Sequence, residues 1–223
     1  MRVSRKKPTS IPLLLAAAAL AIGTYVLAGD LEPPGPPEPT MKTLTDVEPR
    51  IPIHAGDVPL TINESGSYYL AENITTEGDG IDVTVGNVTI DLMGHTLSGG
   101  TGSGINVAGA LRGIHILNGT VRDWENAGIY LQSFDSTVRE ISAIGNGGAG
   151  LVANESSIVV DCIATTNEGD GIYLTSGIVH RCESAYNGGN GIFTGRTSTI
   201  SGCSTHDNDL NGIRVDGGAF VVG

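Results

Sequence analysis

Short segments in which apolar and polar residues alternate recur along the chain, and each opens on the same pair of residues. A glycine followed by isoleucine or leucine begins seven of them, at intervals of 20 to 24 residues. The pairs are Gly80-Ile81, Gly104-Ile105, Gly128-Ile129, Gly150-Leu151, Gly171-Ile172, Gly191-Ile192 and Gly212-Ile213. Alternation indicates β-strands, and no long segment with helical periodicity follows residue 28. The pattern therefore predicts an all-β protein built from about seven copies of one unit.

Three further positions advance in step with these glycines. The residues four, nine and twelve before the glycine repeat in the last four copies: Asn146, Asn167, Asn187 and Asn208; Ile141, Cys162, Cys182 and Cys203; Val138, Val159, Val179 and Ile200. A unit this short cannot bury a face alone, so each copy must stack on the next. The result is a parallel β-helix, a solenoid in which each copy is one rung and rungs lie roughly 4.8 Å apart. The variable spacing favours the right-handed form, because left-handed helices keep a strict hexapeptide period.

Alternation assigns most repeated positions to the scaffold. The Ile or Leu after each glycine and its second neighbour should point inward, and the glycine itself should serve a turn that needs positive φ or no Cβ. Stacked asparagines can hydrogen-bond from rung to rung, and cysteines can fill core space. Neighbouring rungs also bring cysteines within disulfide reach, so the sequence also allows one disulfide, which would leave one free thiol.

One outward column concentrates aromatic residues. Directly after the inward Ile or Leu come Asp82, Asn106, Tyr130, Val152, Tyr173, Phe193 and Arg214. Aromatic residues are only 4% of the sequence, yet Tyr130, Tyr173 and Phe193 share this column. Flat rings can stack against sugar rings, which predicts a glycan-facing strip; the alternative is that the rings only stabilise adjacent strands.

No recognisable catalytic set accompanies this column. Asp161 and Arg181 occupy equivalent positions of successive rungs, which predicts a surface salt bridge. Asp170, Asp207 and Asp209 lie in turns, where a glycosidase would need a carboxylate pair about 5 to 9.5 Å apart. The motif set of polygalacturonases, the Asp-Pro-His of epimerases and the calcium nonapeptide are all missing. The five histidines share no register, so we predict no cofactor and no metal site, with Ca²⁺ conceivable but indicated by no motif.

The N-terminal region predicts export. Four basic residues precede the apolar run at 11–28, a pattern typical of a secretory signal peptide cleaved after Ala28, or of an uncleaved N-terminal anchor. Five prolines between residues 30 and 39 indicate that 29–40 is an extended linker. We expect a periplasmic or extracellular location.

The remaining chain divides into a lead-in or N-terminal cap at 41–58 and the β-helix at 59–223. The sequence stops where another strand would begin, so we expect further C-terminal rungs to be missing. Cleavage after residue 28 would remove four of 12 basic residues and leave 8 against 24 acidic ones. Such a chain is repelled by nucleic acid and by anionic lipid, so we predict no nucleic-acid partner and no membrane contact beyond the export signal.

Several phrases resemble a known family. NVTIDLMGHTLSGGTGSGI (residues 87–105), ILNGTVRDWENAGI (116–129) and the serial Asn-x-x-x-Gly-Ile turns are similar to bacterial right-handed parallel β-helix repeat proteins with the pectin-lyase-like fold. That group includes exported domains similar to the periplasmic copper-accessory protein NosD. The resemblance covers about residues 41–223 and is specific for fold, whereas the family includes lyases, hydrolases, epimerases and adhesins.

Three functions follow from these observations. The first is an exported protein that binds polysaccharide or cell-envelope glycan without catalysis, or serves there as a structural protein. The second is a polysaccharide lyase or glycoside hydrolase that uses the Asp-rich turns. The third is a periplasmic metal-accessory domain of the NosD kind, for which the expected copper ligands are not found among the histidines.

Overall fold

The structure is a computed structural model that describes residues 49–222. The predicted signal peptide or anchor at 1–28, the linker at 29–40 and the first part of the lead-in lie outside the described residues. Among the residues described, no helix is long and apolar enough to cross a membrane.

Sheet 1 is a parallel sheet of eight strands, each three residues long. It contains β2 (Leu60–Ile62), β5 (Ile81–Val83), β8 (Ile105–Val107), β10 (Ile129–Leu131), β12 (Leu151–Ala153), β15 (Ile172–Leu174), β18 (Ile192–Thr194) and β21 (Ile213–Val215), in that order. Seven of these strands begin at the Ile or Leu of the repeated pair. The register joins those residues directly, as in Ile105↔Ile129 and Ile172↔Ile192.

Sheet 2 has fourteen parallel strands in two branches. The first branch contains β1 (Ile51–Ile53), β3 (Gly66–Leu70), β6 (Val88–Asp91), β9 (Ile114–Arg122), β11 (Thr137–Ile144), β13 (Ser157–Val160), β16 (Gly177–His180), β19 (Ser198–Ser201) and β22 (Ala219–Val222). The second contains β4 (Ile74–Thr75), β7 (Thr96–Ser98), β14 (Ile163–Thr165), β17 (Glu183–Ala185) and β20 (Ser204–His206), together with the ends of β9 and β11. A short 3₁₀ turn lies at Ala55–Asp57. A typical rung gives one strand to sheet 1 and one to each branch.

A single residue in the left-handed conformation makes the corner between the two branches. Glu140 (φ 54°) lies inside β11, and Asp161 (φ 55°) and Arg181 (φ 48°) occupy the same place in the next two rungs. The chain therefore turns at one residue per rung and enters the second branch directly, which stacks the following Cys162 and Cys182 on the inside.

The parallel β-helix predicted from the repeat is confirmed, but it has about eight turns rather than seven. Leu60 pairs with Ile81 and Ile62 with Val83, so β2 begins a further turn. Pro59 stands there in place of the repeated glycine, and a search for Gly-Ile pairs misses that rung. β1 at Ile51–Ile53 also pairs with β3, so the segment interpreted as a lead-in already supplies a strand.

The inward columns form one apolar core. The Ile and Leu residues after the glycines are buried from Ile81 to Ile192, and Ile213 in the last turn is half-buried. Val138, Val159, Val179 and Ile200 are buried on the first branch. Cys162 and Cys182 are buried and Cys203 is half-buried; all three are free thiols, so none is in a disulfide. The hydrogen bond with Cys162, together with burial, raises the pKa of Cys182 to about 12.

The asparagine ladder is structural, as expected. The side-chain Nδ2 of Asn146 donates to Oδ1 of Asn167 at 2.8 Å, and Asn167 and Asn187 each donate to the next asparagine at 2.9 Å. The backbone N–H of each asparagine donates to the same Oδ1 of the next at 3.1 Å. Buried polar groups are thus satisfied from rung to rung. Trp124 occupies the equivalent place one rung earlier and ends the ladder by donating its backbone N–H to Asn146.

The repeated glycines are explained by close approach alone. None of the seven is among the glycines with positive φ, which corrects one of the two reasons expected from the sequence. A Cβ on Gly150 would lie 2.7 Å from Asn167 Nδ2 and 2.7 Å from the backbone oxygen of Gly171. Any side chain here would collide with the next rung, which is why glycine recurs.

Candidate functional site

The outward column predicted from the sequence lies on the outer face of sheet 1. Its register runs Asp82↔Asn106↔Tyr130↔Val152↔Tyr173↔Phe193↔Arg214 through seven successive strands. The flanking residues of each three-residue strand point inward, so the central side chain must point outward. The structure thus places Tyr130, Tyr173 and Phe193 in one column, while a binding role for them stays a prediction.

The three rings are not equivalent. Tyr173 and Phe193 stack on each other, with centroids 4.9 Å apart and planes inclined by 27°. The guanidinium of Arg214 lies 5.2 Å from the Phe193 centroid. Tyr130 is separated from this stack by the small side chain of Val152. One ring therefore stands alone while two are engaged with neighbours.

Tyr130 borders a cavity of about 550 Å³ on one side of the column. The polar residues that line this first cavity come from successive rungs: Asp79, Asp82, Ser103, Asn106 and Asn126. Asp79 and Ser103 directly precede repeated glycines, and Asp82 and Asn106 lie in the outward column. The cavity thus lies between two columns of side chains and follows the helix axis over four strands, from β5 to β12.

A second cavity of about 440 Å³ borders the other side of Tyr130. Gln132, Phe134, Asn154 and Tyr173 contribute to its wall. Tyr130 and Val152 line both cavities, and Gln132 Nε2 donates a hydrogen bond to the Tyr130 hydroxyl at 2.8 Å. We call the two cavities together the outer groove. An aromatic ring with a few polar side chains around it is a usual lining of small-molecule sites.

Negative charge lies at one end of the outer groove. Asp82 accepts a hydrogen bond from Asn106 Nδ2 at 2.8 Å, which fixes one carboxylate oxygen beside the first cavity. Asp79, in the same rung, is exposed at its edge. Within the part of the chain that the structure describes, neither carboxylate belongs to an ion pair with Arg or His.

Three of the other carboxylates considered from the sequence, those of Asp161, Asp170 and Asp207, have separate partners. Asp161 accepts two hydrogen bonds from Arg181, each 2.7 Å long, which confirms the predicted salt bridge. Those hydrogen bonds lower the pKa of Asp161. Asp170 accepts from the backbone and side chain of Asn190 at 2.6 and 2.8 Å, while Asp207 lies 3.1 Å from His206 Nδ1.

Asp170 instead begins a second amide ladder that sequence reasoning missed. Asn190 Oδ1 accepts from Asn211 Nδ2 at 2.9 Å, so the residues before the last three glycines are linked from rung to rung. The same column supplies Asp79 and Ser103 to the outer groove, and these were also missed. Their signal was present in the sequence, because each directly precedes a repeated glycine.

Residues 49–222 contain no group of three or more His, Cys, Asp and Glu side chains that could hold a metal ion. The three cysteines lie in successive rungs, and Cys162 and Cys182 are directed into the core. The side chains that line the outer groove offer hydrogen bonding and ring stacking, with the carboxylates of Asp79 and Asp82 as acceptors.

A family model described as right-handed beta helix region matches residues 73–222. The chain belongs to the right-handed β-helix family. The match covers most of the described residues and confirms the handedness that the repeat spacing favoured. The likeness to NosD remains a resemblance.

One solved structure is similar to this chain: the A-module of mannuronan C-5 epimerase AlgE4 from Azotobacter vinelandii. The TM-score is 0.52 and the sequence identity 13%, over 78% of this chain and 65% of that module. This likeness shows the fold, and the chain spans less than two thirds of the module's length. A search of the curated proteins finds no match.

Proposed function

We propose that this chain is an exported protein that binds polysaccharide in the outer groove of sheet 1, without catalysing a reaction there. The observation that carries the proposal is the position of Tyr130, whose side chain lines both cavities. A sugar ring on Tyr130 would have polar side chains of the first cavity on one side and Gln132 on the other. Aromatic rings and a few polar groups are the usual lining of small-molecule sites.

The fold is compatible with such a ligand. The epimerase module that shares it is named for action on mannuronan, a polysaccharide. The two cavities of the outer groove together border five successive strands of sheet 1, from β5 to β15, so a linear polymer that follows the helix axis could contact both. With rungs about 4.8 Å apart, the part bordered by five strands is about 20 Å long, enough for several sugar rings in series.

Glycan-array binding followed by calorimetry on the best oligosaccharide tests the proposal. Tyr130→Ala should weaken binding by about fivefold or more, if a sugar ring stacked on Tyr130 contributes about the 1–3 kcal/mol of a base stacked on an aromatic side chain. Tyr186→Ala is the matched control, since Tyr186 is an aromatic residue with 58% exposure that lies after β17, away from sheet 1. Equal affinity of both variants and the unaltered protein would refute the proposed site.

The absence of catalysis has its own measurement. The oligosaccharides that bind should be recovered unchanged, with no new reducing ends, no unsaturated ends and no epimerised residues. Asp161 and Asp170 are held by Arg181 and Asn190, which supports this expectation. Turnover by the purified protein that disappears in Asp82→Asn would instead assign an enzymatic role to the outer groove.

Export is proposed from the sequence of residues 1–28. Cell fractionation should find the protein outside the cytoplasm, with a mature N-terminus at Gly29. Leu14→Arg, which puts a charge in the apolar run, should retain the full-length chain in the cytoplasm. A full-length N-terminus in the exported protein would favour the anchor.

A further inference from the structure

We infer that the outer groove selects uncharged sugar polymers and rejects polyuronates. This inference rests on the proposed function and names the class of polysaccharide that the site accepts. It starts from the charged side chains that line the two cavities, all of which are negative. Asp79 and Asp82 are the charged residues among the described residues that line the two cavities, and no Lys, Arg or His lines either one.

The cations of the described region are already engaged. Residues 49–222 contain seven arginines, no lysine and 19 acidic residues. Each arginine forms an ion pair with a carboxylate: Arg50 with Asp91, Arg112 with Asp135, Arg122 with Asp123, Arg139 with Glu140, Arg181 with Asp161, Arg196 with Glu155 and Arg214 with Asp216. A guanidinium that must leave one carboxylate to bind another gains little from the exchange.

The arginines nearest the groove illustrate this point. Arg214 holds Asp216 through two hydrogen bonds of 3.0 and 3.1 Å and also lies against Phe193. Arg112 lies 5.4 Å from the centroid of Phe134 in the second cavity wall while it is paired with Asp135. Recognition of a carboxylate normally uses an available guanidinium in a bidentate arrangement. A uronate in the outer groove would find none and would face Asp79 and Asp82 instead.

An uncharged sugar is not repelled by Asp79 and Asp82 and can form hydrogen bonds with them. Its hydroxyl groups can donate to the carboxylate oxygens of Asp79 and Asp82, and hydrogen bonds to a charged acceptor are stronger than neutral ones. Ser103 and Asn126 can both donate and accept, which suits hydroxyl groups in either role. Tyr130 provides an apolar face at the same place. Asp79, Asp82, Ser103, Asn126 and Tyr130 can therefore each contact a neutral sugar favourably.

Matched pairs of ligands test the inference. Hexasaccharides of mannuronan, of a galacturonan and of a glucuronan would each be compared with the same oligosaccharide after its carboxylates are reduced to primary alcohols. Calorimetry at low ionic strength, about 20 mM, keeps electrostatic repulsion unscreened over the length of the groove. At least one reduced oligosaccharide should bind, and about tenfold more tightly than its uronate parent.

A variant without the two carboxylates distinguishes electrostatic repulsion of the uronate from a poor fit of its shape to the groove. Asp79→Asn with Asp82→Asn should raise uronate affinity and narrow the difference within each pair by about threefold or more. Glu72→Gln with Glu183→Gln is the matched control, because it also removes two charges but at positions outside sheet 1 and its cavities. The control should leave the difference within each pair unchanged.

The outcomes are distinct. A uronate that binds as tightly as its reduced form, or more tightly, would overturn this inference and leave the proposed function standing. Binding of none of the six oligosaccharides would overturn both. A preference for the reduced forms that persists in full when Asp79 and Asp82 are both asparagine would contradict the electrostatic basis.

Discussion

The ring of Tyr173 packs on the ring of Phe193 in the next rung, with centroids 4.9 Å apart and an angle of 27° between the planes. Each ring covers part of the other, and the guanidinium of Arg214 lies 5.2 Å from the centroid of the Phe193 ring. The structural interpretation of the aromatic column therefore applies to Tyr173 and Phe193, while a binding role for Tyr130 stays a proposal. The Tyr173–Phe193 stack is the cross-strand contact expected of rings that stabilise adjacent strands, whereas Tyr130 has Val152 as its neighbour in the column and borders both cavities; Tyr173 borders only the second.

The Tyr173–Phe193 stack should contribute a measurable coupling energy. In a double-mutant cycle with Tyr173→Ala and Phe193→Ala, we expect a coupling of about 0.5–1.5 kcal/mol in the free energy of unfolding, because stacked aromatic pairs exceed the value of their buried area. Urea denaturation followed by circular dichroism gives the four values. The pair Tyr130→Ala and Phe193→Ala, three rungs apart, should be additive within about 0.5 kcal/mol. Coupling of the same size in both cycles would contradict a direct ring contact.

The asparagine ladder should be essential to stability. Asn167→Ala removes the acceptor for the backbone and side chain of Asn146, and it removes the side-chain donor to Oδ1 of Asn187. We expect a loss of about 2–4 kcal/mol, since each buried unsatisfied group costs about 1–3 kcal/mol. Hydrogen exchange of the Asn146 backbone N–H should also accelerate. Asn63→Ala, at an exposed position, should change stability by less than about 0.5 kcal/mol. A small effect at Asn167 would show that the ladder is dispensable.

The repeated glycines should be intolerant of a methyl group. In Gly150→Ala the new Cβ would meet Asn167 Nδ2 and the Gly171 carbonyl oxygen, both at 2.7 Å, and strands β12 and β15 would have to separate locally. Overpacking of this kind costs about 1–3 kcal/mol, measurable as a lower urea midpoint. Gly218→Ala is the control, because a Cβ there has nothing within 4 Å and its φ is ordinary. Equal midpoints for the two variants would contradict the steric explanation.

Most of the fold could be predicted because a solenoid repeats its constraints. Gly150, Asn167 and Cys162 each have a counterpart about 21 residues away. The spacing alone therefore predicts the register of the strands, the inward columns and the asparagine ladder. The turn at Leu60–Ile62 was missed because Pro59 replaces the glycine used as the marker. The reason for the glycines was only partly predictable, because a positive φ and a close approach of the next rung both select glycine in the sequence.

The candidate site was harder to predict because it depends on what lies between columns. Spacing placed Tyr130, Tyr173 and Phe193 together, but it could not say that Tyr173 and Phe193 stack or that Tyr130 borders both cavities. Asp79 and Ser103 were not predicted, because the prediction used the residue after each inward Ile and did not consider the residue before each glycine. The shape of a cavity depends on the conformation of the turns and the size of the side chains. Both vary from rung to rung, so the repeat does not predict them.

His206 should titrate above its ordinary range. Its Nδ1 lies 3.1 Å from Asp207 and its Nε2 3.5 Å from Glu183, both at the surface of the second branch. The hydrogen bond with Asp207 is the largest cause that raises the pKa of His206 above 6.5, Glu183 adds to it, and slight burial opposes it. Because the folded pKa exceeds the unfolded one, the contribution to stability is complete below about pH 6.5 and is lost as the pH rises through the folded value.

A titration of the histidine ring protons by NMR measures this pKa directly. Asp207→Asn should lower the pKa of His206 more than Glu183→Gln does, because the contact with Asp207 is shorter. Glu64→Gln, a charge change in the loop before β3, is the control and should leave the value unchanged. A pKa at or below 6.5 in the unaltered protein, or no response to Asp207→Asn, would show that the two carboxylates do not hold the protonated ring in solution.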